Sequence, residues 1–133
     1  MGNVEFIEWD ELVILHTEQM KLHGGQDGFV DEGAVRSAVA RPQMTCQYDP
    51  EADLADLAAD YLYGLCTTQG FLDGNKRTAL VVAERFLNKN GWETILTPQL
   101  MYIVVMTVAK SELDREGLAQ ILRDHMARLP TSR

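Results

Sequence analysis

The chain has 133 residues, of which 46% are hydrophobic and 24% charged, with a formal net charge of -8. That length and balance suit one soluble globular domain with a single core. An acidic surface repels phosphate backbones, which argues against broad nucleic-acid binding and leaves room only for a local cationic site. Cys46 and Cys66 have no metal-ligand spacing and cannot build a disulfide framework. They read as reduced thiols in a reducing cytoplasm. The start, Met1 to Phe6, lacks the regions of a signal peptide, and Phe6 stands where N-myristoylation needs Ser or Thr. The longest apolar stretch, Met101 to Met106, is far short of the roughly 20 residues that span a bilayer. The expectation is a soluble cytoplasmic protein with no membrane partner.

In chain order the pattern is helical almost throughout. Asp10 can cap a first helix carrying Leu12, Val13, Leu15, Met20 and Leu22, and Gly24-Gly25 ends it. Asp31 starts a second helix with Ala34, Val35, Ala38 and Val39 on one face. It is expected to stop before Pro42, which has no amide hydrogen and restricts Arg41. Pro42 to Pro50 then reads as a polar loop holding Cys46 and Tyr48. A third helix runs from about Glu51 to Thr67, and a fourth from about Asn75 to Asn90, ended by Gly91. The fourth is apolar over Ala79 to Ala83 and at Phe86-Leu87, which predicts the central, most buried helix. Trp92 to Leu96 alternates weakly and suggests a short strand, with Val4 to Ile7 as a candidate partner. Thr97-Pro98 is a cap followed by proline at the first helical position, opening a fifth helix to Lys110. A last helix is expected from Asp114 to about Arg128. The result is a compact all-α bundle, a single domain over residues 1–133, with at most a minor two-stranded pairing.

The break between the third and fourth helices is the informative stretch: Gln69-Gly70-Phe71-Leu72-Asp73-Gly74-Asn75-Lys76-Arg77-Thr78. Amides in a helix's first turn have no internal partner, and the helix dipole adds positive charge there. Glycine for close approach, followed by Lys76 and Arg77, makes a phosphate cradle. Asp73 supplies a hard oxygen ligand suited to magnesium bridging phosphates. Phe71, apolar within a polar loop, is expected to plug into the core. Taken singly, an Asp before a helix is a common cap, and helical Lys and Arg are usually solvated. Together, two cations in a first turn oppose the dipole, and such a local conflict is where function is expected.

This stretch resembles the Fic-family motif His-Pro-Phe-x-(Asp/Glu)-Gly-Asn-(Gly/Lys)-Arg, in the form found in Doc ("death on curing") toxins. Phe71, Asp73, Gly74, Asn75, Lys76 and Arg77 match it, and Thr78-Ala79-Leu80 continues as Doc proteins commonly do. Leu80 stands where many adenylylating members carry a second arginine. Gly24-Gly25, Gly28, Asp31, Gly33, Ser37-Ala38 and Arg41-Pro42 look like the family's amino-terminal signature, and Ser111-Glu112-Leu113 is also similar. The resemblance implies a helical bundle of Fic/Doc type. It also implies a kinase that transfers the γ-phosphate of ATP to a threonine of elongation factor Tu, blocking translation. By the same resemblance Asp73 holds magnesium, while Gly74, Asn75, Lys76 and Arg77 bind the nucleotide phosphates. Adenylylating relatives bind the nucleotide the other way round and transfer AMP. Lysine at position 76 crowds the anion site and is the hint for kinase chemistry.

One position departs from the pattern with a chemical consequence. The family histidine, which takes the proton from the target hydroxyl, is Gln69 here. An amide does not titrate usefully, so the chain as written is expected to be inactive; the alternatives are an AMP or other nucleotidyl transferase on the same fold and a catalytically degenerate antitoxin-binding protein. His16, His23 and His125 fall outside any metal or triad spacing. Some Fic proteins silence themselves with a Ser/Thr-x-x-x-Glu-Gly/Asn helix. Ser111 to Glu116-Gly117 misses that spacing by one residue, so inhibition is expected from a separate Phd-like antitoxin.

Overall fold

The computed structural model describes residues 3–130. Met1 and Gly2, on which the myristoylation reading touched, lie outside the described residues. The elements are α1 (Trp9–His23), α2 (Glu32–Tyr48), α3 (Leu54–Thr68), α4 (Asn75–Lys89), β1 (Trp92–Thr94), α5 (Pro98–Ala109), α6 (Arg115–Asp124) and β2 (Met126–Arg128). Among the described residues no helix is long and apolar enough to cross a membrane. The all-α reading holds.

The hub is α3, not α4 as its apolar run suggested. Nine of its side chains are buried against six in α4, and it packs on α2, α4, α5 and α6. Small residues make this possible. A Cβ at Gly64 would lie 3.3 Å from the Cβ of Ala38, so α2 and α3 approach closely there. Asp53 and Asp56 form a reciprocal capping box that starts α3 at Leu54, three residues after the expected Glu51. Helix α4 lies against α3 and α1 and buries Thr78, Ala79, Val82, Ala83, Phe86 and Leu87.

Three local expectations are corrected. Helix α2 does not stop at Arg41 but continues through Pro42 to Tyr48, so Cys46 and Tyr48 are helical. Val35, Ala38, Val39 and Pro42 form one buried stripe at helical spacing, and burying it outweighs the single hydrogen bond that proline removes. The short strand is real, but its partner is β2 rather than Val4 to Ile7. Trp92, Glu93 and Thr94 pair antiparallel with Arg128, Ala127 and Met126. That pairing also ends α6 at Asp124, four residues before the expected Arg128, with His125 Nδ1 2.7 Å from the Ile121 carbonyl. Val4 to Ile7 is instead an extended strap. Asn90 holds both backbone groups of Glu5, Lys89 donates to the Phe6 carbonyl, and the buried Tyr61 hydroxyl accepts from the Ile7 amide. The first helix starts at Trp9 with Glu8 in the capping position, where Asp10 was expected.

Candidate active site

The loop from Gln69 to Gly74 is held from three sides. The carbonyl of Gly70 accepts from the amides of Val30 and Asp31, at 2.8 and 3.0 Å, and Leu72 donates to Gly28 at 3.0 Å. A Cβ at Gly70 would come within 2.7 Å of the Asp31 carbonyl and 2.6 Å of Val35, so only glycine lets the loop lie this close to α2. Phe71 is 2% exposed, as the sequence led us to expect. It sits in an aromatic series, stacked on Phe29 at 5.4 Å and on His16 at 3.9 Å, with Trp9 on the far face of Phe29. Asn75 closes the loop on itself. Its side chain accepts from the Phe71 amide and donates to the Phe71 carbonyl, at 3.0 and 3.1 Å.

Gly74 then opens α4 in the left-handed conformation, with φ 79°. A side chain there would be strained, and its Cβ would collide with the end of Met20. The first turn of α4 contains no acid, and no side chain caps it. No acceptor among the described residues takes the N–H groups of Asn75, Lys76 or Arg77. The Lys76 and Arg77 side chains are exposed and meet no carboxylate among the described residues. Three free amides, a helix dipole and two cations thus share one helix end, an arrangement suited to an anion with several oxygens.

Beside that point lies a depression of about 450 Å³, lined by Asp73 to Arg77 together with Leu80 of α4 and Tyr102, Val105 and Met106 of α5. It brings together Asp73, Gly74, Asn75, Lys76 and Arg77. Gln69 is not among the lining residues. It ends α3 as an exposed residue in the left-handed region, with φ 51°, a conformation that costs a non-glycine residue about 1 kcal/mol.

Asp73 is exposed, and its Oδ2 accepts from the Gln26 amide at 3.0 Å, which leaves Oδ1 without a protein partner among the described residues. No group of three or more His, Cys, Asp or Glu residues suited to a metal occurs among the described residues. A lone oriented carboxylate beside a phosphate cradle fits magnesium that arrives with a nucleotide, which keeps waters and takes only one or two carboxylates from the protein.

His16, set aside on spacing, belongs to this site. It is 2% exposed, with Nε2 2.9 Å from the Asp73 carbonyl and Nδ1 3.2 Å from Asp27 Oδ1. The signal was present in the sequence, since Leu12, His16 and Met20 recur every fourth residue on the buried face of α1. The contributions of the Gln26 amide and of Tyr102 carried no comparable signal.

The Fic/DOC family model matches residues 6–87, which takes in the end of the strap, α1 to α3, the loop and most of α4. The chain belongs to the Fic/DOC family. It is 33% identical over 114 residues to "Protein kinase doc" of Escherichia phage P1, covering 86% of this chain and 90% of that protein. It is also 44% identical over 69 residues to "Toxin Doc" of Mycolicibacterium smegmatis, covering 51% and 53%. These relatives place the chain on the Doc side of the family, in agreement with the lysine at position 76.

Proposed function

We propose that this protein is a Doc-type toxin with the site of a protein kinase, disarmed at Gln69. The observation that carries the reading is the start of α4, where unsatisfied amides and two unpaired cations face the depression beside Asp73. The similarity to a protein named as a kinase supports it. The phosphates of ATP lie on the Asn75 to Arg77 amides and on the Lys76 and Arg77 side chains. Asn75 contributes its amide, because its side chain is committed to Phe71. The nucleoside lies against Leu80, Tyr102 and Met106. Asp73 holds magnesium, which when bound offsets the negative charge of the phosphates.

In the transfer, a threonine hydroxyl oxygen of the target forms a bond to the γ-phosphorus and the bond to ADP breaks. The hydroxyl proton must leave to a base. Gln69 cannot accept it, and losing a general base costs roughly 10²- to 10⁴-fold in rate. The target proposed here is elongation factor Tu, and the natural inhibitor is a Phd-like antitoxin whose tail folds as a helix beside the loop. Ser111 to Glu116 does not supply that helix internally. Ser111 sits at φ 61° outside any helix, and Glu116 belongs to the first turn of α6.

The test is Gln69→His. The variant is expected to transfer the γ-label of ATP to elongation factor Tu roughly 10²-fold faster or more, on the order of 3 kcal/mol in activation free energy. Its expression should arrest growth unless the antitoxin is co-expressed. Equal rates for the two proteins would remove Gln69 from the base position, and transfer of the α-label instead would reassign the site to AMP transfer.

A further inference from the structure

Asp73 has two anchors that come from outside its own loop, and both lie in the segment formed by α1 and the turn after it. The Gln26 amide holds its carboxylate, and His16 holds its backbone carbonyl. A carbonyl only accepts, so His16 Nε2 carries the hydrogen in that bond. The other ring nitrogen faces Asp27, whose Oδ2 also accepts from Thr17 Oγ1 at 3.0 Å. Asp27 directly follows Gln26. A carboxylate also only accepts, so with a hydrogen on Nδ1 as well the one buried ring ties together the backbone of Asp73 and the turn that carries its carboxylate anchor. The same ring stacks on Phe71 with an interplanar angle of 10°, a further contact between the loop and α1.

We infer that His16 is a positioning residue for the Asp73 carboxylate: it sets the distance and angle at which that carboxylate meets a divalent cation on the nucleotide phosphates. The inference rests on reading Asp73 as the magnesium-bearing group. A carboxylate that contributes a single ligand has no neighbouring protein ligands to correct its orientation, so the groups hydrogen-bonded to it set the geometry. Here that group is the Gln26 amide, and His16 acts on it one step further out, through the Asp73 carbonyl and Asp27; losing an outer contact of this kind typically lowers metal affinity about tenfold or more. His16 is not among the residues that line the depression, so the Lys76 and Arg77 side chains remain available to phosphate when it is replaced.

The experiment measures ATP affinity by titration calorimetry, in magnesium and in EDTA, for the chain as it stands and for three variants. His16→Leu fills the space without a donor, while His16→Gln returns an N–H near the position of Nε2. Asp27→Ala cuts the second tether at an exposed position, where folding is not at risk. The magnesium-dependent gain in affinity is expected to fall about tenfold in His16→Leu and to stay within about threefold of the parent in His16→Gln. The EDTA affinity is expected to be the same in all four proteins. Asp27→Ala should speed hydrogen exchange at the Gln26 amide and reduce the magnesium gain part-way. A full magnesium gain in His16→Leu overturns the inference. If that variant does not fold, unchanged exchange and an unchanged gain in Asp27→Ala overturn it. A parent chain that binds ATP equally well with and without magnesium defeats the reading of Asp73 itself, a different result from either.

Discussion

Two regions of this molecule concentrate charge, and they treat it in opposite ways. Where α6 packs on the first turns of α3, both arginines of α6 are paired with carboxylates. Arg115 reaches Asp56 at 3.1 Å and Asp60 at 3.2 Å, while Arg123 reaches Asp53 at 2.7 Å and Asp56 at 3.1 Å. These pairs clamp the last helix onto the hub. At the start of α4, Lys76 and Arg77 have no carboxylate among the described residues and stand where the helix dipole disfavours them. Charge that has been neutralised within the chain serves the fold. Charge left unneutralised against the local electrostatics is what the proposed nucleotide site would use.

The difference can be broken from the structural side first. Asp60 is 4% exposed, and burial pushes its carboxyl above the usual range. Arg115→Ala removes the cation paired with that group and leaves only Arg41 near it, and breaking a buried pair from one side costs about 3 kcal/mol. Chemical denaturation at pH 7 should show that loss. It should shrink as pH falls toward 4, because a protonated Asp60 needs no cation. ATP affinity should not change. A variant as stable as the parent would mean that the pairs are ornaments on the α3–α6 contact.

A smaller effect sharpens the same point. The hydrogen bond from the Arg123 guanidinium holds the Asp53 carboxyl down to about 2, from an ordinary 3.8. A depressed carboxylate contributes stability above its ordinary value and loses it as pH falls from about 4 through about 2. Thermal melts of the parent between pH 5 and pH 2 should therefore fall more steeply than those of Asp53→Asn. The gap should be modest and should narrow in salt, because the Asp53 side chain is half-exposed. Parallel curves would show that the pair contributes nothing.

The site was more legible in the sequence than its surroundings. Gly74, Phe71 and the two cations each broke a local rule, through a glycine at a helix start, an apolar side chain in a polar loop or an opposed dipole, and such breaks are visible without coordinates. What stayed hidden depended on burial from outside the segment. Proline marks a helix end by its local chemistry, but the stripe from Val35 to Pro42 overrode it once α3 was present to cover that face. The partner of β1 could not be chosen from two short, weakly alternating stretches. His16 looked unremarkable in spacing because its partners, Asp27 and Asp73, are brought to it by the fold.

The claim at the centre of this account is that the start of α4 is a nucleotide phosphate site that survives the loss of the base. It is tested most directly by titrating magnesium-ATP into the chain as it stands and into Lys76→Ala/Arg77→Ala. Each charge-assisted hydrogen bond to phosphate contributes about 1.5 kcal/mol or more, so the parent should bind and the double variant should bind about 100-fold more weakly. The double variant should melt no lower than the parent, since removing two cations from a helix's first turn relieves the dipole. Equal affinity in the two proteins would contradict the account, because the unpaired cations would then not be held for phosphate.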